Sequence, residues 1–122
     1  MAHLITWEDN GLYRKFTGEI SANECMQVKL ELSADLRFGQ IKYIINDYSG
    51  ISGHSIKVEH ARAFAKVNAM MANTKHQLKV ALVVPHDSLL HFAQHYCALM
   101  QDQVFECACF HCVEDARQWI EA

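Results

Sequence analysis

The apolar residues of this 122-residue chain change their period along its length, and that change restricts the folds open to it. Alternation with period two marks a strand with one buried face. Spacing of three and four marks a helix with one buried stripe. The first two strand signals are Leu4-Ile5-Thr6-Trp7 and Leu12-Tyr13-Arg14-Lys15-Phe16-Thr17, separated by Glu8-Asp9-Asn10-Gly11. Asn-Gly between two such runs is a strong hairpin signal. Gly18-Glu19-Ile20 then leads into Ser21-Ala22-Asn23-Glu24, which reads as a capping box. The helix it opens carries Cys25, Val28 and Leu32 on one stripe.

From here strands and helices alternate. Residues 41–46, Ile-Lys-Tyr-Ile-Ile-Asn, are apolar and β-branched, as in a strand covered on both faces. Residues 47–54 read as a Ser/Gly-rich loop, and a second helix is expected from Ser55 to about Thr74. Ala61, Phe64, Ala65, Asn68 and Ala72 share one face of it. Residues 78–84 form another buried-type strand, stopped by Pro85. Asp87 or Ser88 is expected to cap a third helix, with Leu89, Phe92, Ala93, Tyr96 and Met100 inward. Residues 104–110 are the last strand and 113–121 the last helix. The order β-β-α-β-α-β-α-β-α predicts one α/β domain over residues 1–122. It is a mixed β-sheet with an N-terminal antiparallel hairpin, then parallel βα units, with right-handed crossovers and helices packed on the sheet.

Charge and cysteine usage narrow the function. The formal net charge is −3, and no basic run exceeds Arg14-Lys15. A nucleic-acid partner is not expected, because displacing phosphate counterions takes a dense Lys/Arg face. The opening Met1-Ala2-His3-Leu4 lacks a signal-peptide pattern, and no uncharged stretch reaches a bilayer span. A cytoplasmic protein without stable membrane insertion is the expectation. Cys25, Cys97, Cys107, Cys109 and Cys112 make an odd count with three in six residues, so reduced thiols are expected. No glycine-rich phosphate cradle and no Gly-x-Ser-x-Gly elbow occurs. The expectation is a non-enzymatic chain with no catalytic residue and no cofactor.

Over nearly its whole length the chain resembles the SpoIIAA-like branch of the STAS superfamily. The resemblance rests on Gly18-Glu19-Ile20-Ser21 entering the first helix and on Asp47-Tyr48-Ser49-Gly50-Ile51 after the third strand. It continues with Lys79-Val80-Ala81 and Pro85, then with Phe110 followed by Glu114-Asp115-Ala116-Arg117-Gln118-Trp119. It implies a regulatory or binding module with a protein partner or a small apolar, lipid-like ligand. In the antagonist proteins of this superfamily a serine opening the helix after that loop is phosphorylated by a partner kinase. Here Gly53-His54-Ser55-Ile56-Lys57 stands there, Ser55 is the nearest equivalent, and the acidic neighbour and following glycine are missing. The chain looks closer to members related to lipid-binding Sec14-type domains.

The candidate residues each have two readings. Ser55 is a phosphoacceptor, or the N-cap of the second helix; Ser49 and Ser52 are loop serines beside it. His54, His86, Asp87, His111 and Cys112 follow parallel strands, at the carboxyl edge where open sheets bind ligands. They could form a zinc site of a metal-dependent enzyme or sensor, although no local zinc spacing is present, so no metal is assigned. Cys107 and Cys109 fall on one strand face, where thiols pack as small apolar groups. Cys112 stands at the start of the last helix, whose amides favour a thiolate. His91 and His95, at i and i+4, fall opposite the apolar stripe and face water. Met26, Leu30, Val67, Met70, Met71, Leu90 and Leu99 exceed what single stripes can bury. That surplus points to a homodimer or to an apolar ligand.

Overall fold

The computed structural model describes residues 2–71, 77–85, 87–101 and 104–122. Strand β1 (Ala2–Trp7) turns back into β2 (Gly11–Ile20), and helix α1 (Ala22–Ala34) follows. Next come β3 (Tyr43–His54), α2 (Ala61–Met71), β4 (Leu78–Val83), α3 (Asp87–Leu99), β5 (Phe105–Phe110) and α4 (Val113–Glu121). The strands form a five-stranded sheet in the order β1-β2-β3-β4-β5. β1 pairs antiparallel with β2, and every later neighbour is parallel. The mixed sheet expected from the sequence is the sheet observed.

Strand alternation divides the core in two. Leu12, Phe16, Ile44, Tyr48, Leu78, Val80, Leu82 and Phe105 face α1, α2 and α3, which present Cys25, Val28, Leu32, Phe64, Met71, Leu89, Phe92 and Tyr96. On the other face Ile45, Ala81 and Val83 meet Ala116 of α4, flanked by Tyr13, Tyr43, Phe110, Trp119 and Ile120. β4 is buried on both faces along almost its whole length, which is why its sequence does not alternate. α1 starts as expected: Ser21 Oγ accepts from the Glu24 amide at 3.2 Å and donates to Glu24 Oε1 at 3.0 Å. Helix α4 is clamped at its middle and at its C-terminal end. Arg117 forks onto both Glu8 oxygens at 3.0 and 2.7 Å, and Lys79 Nζ donates to the Trp119 and Ala122 carbonyls at 3.0 and 3.3 Å.

The hairpin forms, but Gly11 serves a different end from a left-handed turn. A Cβ there would run into the Tyr43 ring, so glycine lets the aromatic lie against β2. Two expectations fail between residues 47 and 60. The Ser/Gly-rich segment 47–54 is not a loop but the second half of β3, paired with β2 out to Ile20↔His54. It carries two register shifts, opposite Lys15/Thr17 and Gly18/Glu19. Gly18 takes φ +75° at the second of them. At the first, a Cβ on Gly50 would stand 2.9 Å from the Phe16 carbonyl oxygen. The small polar residues that imitate a loop are those a bulged edge ribbon requires, with Ser49 and Ser52 exposed.

The second helix does not begin at Ser55. The Ser55 amide donates to the Ile20 carbonyl at 3.1 Å, which keeps this residue extended on the ladder. A 3-10 turn over Val58–His60 comes next, where the Lys57 amide donates to His60 Nδ1 at 2.8 Å, and α2 starts only at Ala61. Ser55 is therefore not an N-cap. Ala72 and Thr74, expected in this helix, lie outside the described residues. Asp87 and Ser88 both sit within the first turn of α3.

Candidate functional site

The alternation that builds the larger core also buries two cations in it. Arg14 lies between Leu12 and Phe16 on the same face of β2, and is only 4% exposed. Lys29 follows Cys25 by four residues and precedes Leu32 by three, on the inward stripe of α1. The residue as a whole is half-buried, with its ammonium as the enclosed end. Both side chains line a cavity of about 50 Å³ between the sheet and α1, α2 and α3. Its remaining walls are chiefly apolar: Phe16, Ile44, Leu82, Phe92 and Phe105 among them. That volume is room for about four water-sized groups.

The polar contacts in the cavity are few and neutral. Arg14 Nη1 donates to Asn46 Oδ1 at a long 3.4 Å, and its buried Nε has no partner among the described residues. The guanidinium otherwise rests 5.9 Å from the centre of the Phe16 ring. Lys29 Nζ donates to Asn68 Oδ1 at 2.6 Å and to the Tyr96 hydroxyl at 3.1 Å, two of its three protons. The Asn68 amide donates to the same hydroxyl. Among the described residues no carboxylate bonds to either cation; Glu31, exposed on α1, acts on Arg14 only through its field. Burial holds the Arg14 guanidinium below its usual range and brings the Lys29 ammonium down to about 8, the neighbouring Arg14 charge adding to the latter.

A pH dependence follows from Lys29. The groups acting on it are Cys107 on β5, Arg14 on β2 and Cys25 on α1. Its ordinary value is 10.5 and its folded value about 8. Between those limits the unfolded chain holds a proton that the folded chain has released. The Lys29 contribution to stability therefore rises with pH from about 8 to about 10.5 and is flat on either side. Urea unfolding from pH 7 to 11 checks this as a difference. Wild type should gain on Lys29→Met across that window, and parallel curves would refute the assignment.

Neither cation is among the candidates expected from the sequence, although both positions were legible. Arg14 occupies the middle of the triplet Leu12-x-Arg14-x-Phe16, and Lys29 falls on the same stripe as Cys25 and Leu32. A charge on an otherwise apolar face is the signal, and a reading tuned to motifs passes over it.

The expected edge candidates do not converge. Asp47 is level with Val83, and Val83 with Phe110, so the ends of β4 and β5 meet β3 at Asp47. His54 lies seven residues further along β3, roughly 20 Å at strand spacing. His54 is half-buried, and its Nδ1 accepts from the Ile56 amide at 3.0 Å. Ser55, exposed, shares a shallow depression with Glu19, Ser21, Glu24 and His54. Ser49 is exposed and its amide donates to Asp47 Oδ1 at 2.9 Å. Asp87 and His111 are exposed, and Cys112 is half-buried. His86 lies outside the described residues. Among the described residues no three His, Cys, Asp or Glu side chains are grouped to hold a metal.

The thiols divide as well. Cys107 and Cys109 pack against the larger core, as alternation along β5 requires, and Cys97 Sγ lies 3.4 Å from Cys109 Sγ. The expectation for Cys112 is reversed. The Asp115 amide draws its thiol down, but desolvation and the Glu114 and Asp115 carboxylates outweigh it and leave it raised. The acids in the first turn of α4 cancel what the helix amides offer a thiolate. His91 and His95 are exposed, as read. Met71 is a core residue at 6% exposure, whereas Leu30 and Met70 stay exposed at 50% and 70%.

Other recesses are larger, the depression beside Ser55, at about 220 Å³, among them. An open cleft of about 940 Å³ runs past Glu8, Lys42, Lys79, Arg117 and Ala122 at the amino edge of the sheet. Arg117 and Lys79 are already engaged there, with Glu8 and with the α4 carbonyls. The interior cavity encloses two cations to which, among the described residues, no carboxylate bonds.

This sheet, with one antiparallel edge pair, parallel strands after it and four packed helices, is an α/β SpoIIAA-like fold. The anti-sigma factor antagonist SpoIIAA in its unphosphorylated form is similar over 99% of both chains, with a TM-score of 0.58 at 11% identity. An uncharacterized protein of the DUF3478 family with a SpoIIAA-like fold, from Shewanella loihica PV-4, is similar over 98% of this chain and 92% of its own. Its TM-score is 0.51 at 15% identity. At such identities the likeness carries the fold alone. No family model and no curated protein matches the chain. Among the described residues no helix is long and apolar enough to cross a membrane.

Proposed function

We propose that the chain is a non-enzymatic binding module of the STAS type, whose interior cavity receives a small, mostly apolar ligand. The observation that carries this reading is the cavity of about 50 Å³ walled by core side chains. Close-packed interiors leave few voids larger than a water, and one lined by groups from the sheet and three helices links occupancy to helix position. A protein partner would then read the outer surface of those helices. The five free thiols suit a reducing cytosol. Exposed Leu4, Leu30, Leu36 and Met70 belong to different segments. Native mass spectrometry of the protein taken gently from cells tests the reading. A retained small mass lost on denaturation is expected; a bare chain that no apolar solute stabilises would contradict it.

A partner switch controlled at Ser55 is the second reading, and the exposure of Ser55 supports it. Glu19 and Glu24 share that depression and would repel a phosphate, and α2 begins too far off to receive it. Kinase treatment followed by peptide mass spectrometry distinguishes the two. Stoichiometric phosphate on Ser55 would favour the switch.

A further inference from the structure

The cavity holds two cations among largely apolar walls, and that composition selects what can enter. Arg14 and Lys29 come from different elements, β2 and α1, yet line one enclosure. Among the described residues, Arg14, 4% exposed, has a buried Nε without a partner, and Lys29 keeps one proton beyond those given to Asn68 and Tyr96. Buried charges in folded proteins are ordinarily paired, because an ion loses its hydration on burial and needs an opposite charge or several hydrogen bonds in return. Here two like charges share a largely apolar enclosure, with no carboxylate bonded to either among the described residues. An anion entering between them would supply the missing opposite charge for both.

We infer that the cavity binds a small monoanion through a carboxylate head held by Arg14 and Lys29, with a short apolar tail against the apolar walls of the enclosure. This rests on the reading of the cavity as a ligand site and adds the chemistry of the head. A carboxylate fits better than a phosphate on three counts. The guanidinium fork matches two oxygens in a plane. A single negative charge loses less hydration than a dianion on entering apolar walls. The volume, near four water-sized groups, admits a carboxylate with a short tail and no bulkier head. Asn46, Asn68 and Tyr96 hold the two cations in place as positioning residues. Binding is a charge-pairing event, with no bond made or broken.

The test uses wild-type protein and a series of straight-chain carboxylates from acetate to octanoate, each with its matching primary alcohol and with inorganic phosphate as control. Calorimetry and thermal unfolding provide the readings. The expected result is binding by the carboxylates, at least tenfold tighter than by the alcohols, strengthening with chain length until the enclosure is full. Arg14→Met and Lys29→Met should each weaken binding at least tenfold, and Arg14→Lys should restore only part of it. Circular dichroism verifies that each variant is folded, and the wild-type series decides the matter without them. Alcohols binding as well as carboxylates would overturn the anionic head and leave the apolar site standing. Phosphate binding as well as carboxylates would overturn the carboxylate class. A protein that binds none of the probes would overturn the head and the ligand reading together.

Discussion

Arg14→Met raises the stability of the ligand-free protein by about 1–3 kcal/mol, the usual cost of a buried polar group left unsatisfied. Most buried cations lower stability when removed, because a partner charge is then orphaned. Among the described residues no carboxylate is bonded to Arg14, and its hydrogen bond to Asn46, at 3.4 Å, is long. Methionine follows a similar path along the Phe16 ring, fills a comparable space and brings no charge into the core. Urea unfolding should show a higher midpoint with an unchanged slope. A loss of stability of the same size would mean that the guanidinium's contact with Phe16 outweighs its desolvation. Gaining stability by losing a residue marks a side chain kept for binding, at the fold's expense.

The largest loss is expected from Phe105→Ala, about 3–5 kcal/mol, as for a large aromatic removed from a core. Phe105 is 1% exposed, lies edge-on to Phe38 with ring centres 6.4 Å apart, and forms part of the cavity wall at the start of β5. In a chain of this size that loss lowers the melting temperature by roughly 10–20 °C. The enlarged space should also accept a longer tail. In the variant, carboxylates two or more carbons beyond the wild-type limit should recover part of the lost stability through binding linkage. A fall of under about 1 kcal/mol would mean that α3 and β5 close over the vacancy and that Phe105 does not set the depth of the site.

The frame of the molecule was open to reading because it depends on local periodicity. Leu12-x-Arg14-x-Phe16, the doubly buried run of β4 and the stripe Cys25, Val28, Leu32 each declare their partners through spacing alone. The segment 47–54 was misread for a physical reason. Ser49, Gly50, Ser52 and Gly53 have the composition of a loop, and only the pairing of β2 with β3 shows why a bulged ribbon needs small residues there. The helix start was displaced by one long-range bond, from the Ser55 amide to the Ile20 carbonyl, which no local signal announces.

The candidate site divided along the same line. His54, His111 and Cys112 follow parallel strands and so were expected side by side, but the ribbon carries His54 away from the ends of β4 and β5. Arg14 and Lys29 are 15 residues apart in sequence and share no motif. Their joint burial is a property of the packed core. What the chain did declare was each cation on its own apolar face, and that sign is readable in any strand or helix once polar residues at inward positions are treated as questions.

Crystals grown with acetate would show most directly whether the two enclosed cations lack, and receive, a counter-ion. The expected density is a carboxylate within about 2.7–2.9 Å of both Arg14 Nε and Lys29 Nζ, its methyl group turned toward the apolar walls. An empty or water-filled enclosure at saturating acetate, with Arg14 Nε bonded to a group of the protein itself, would contradict it.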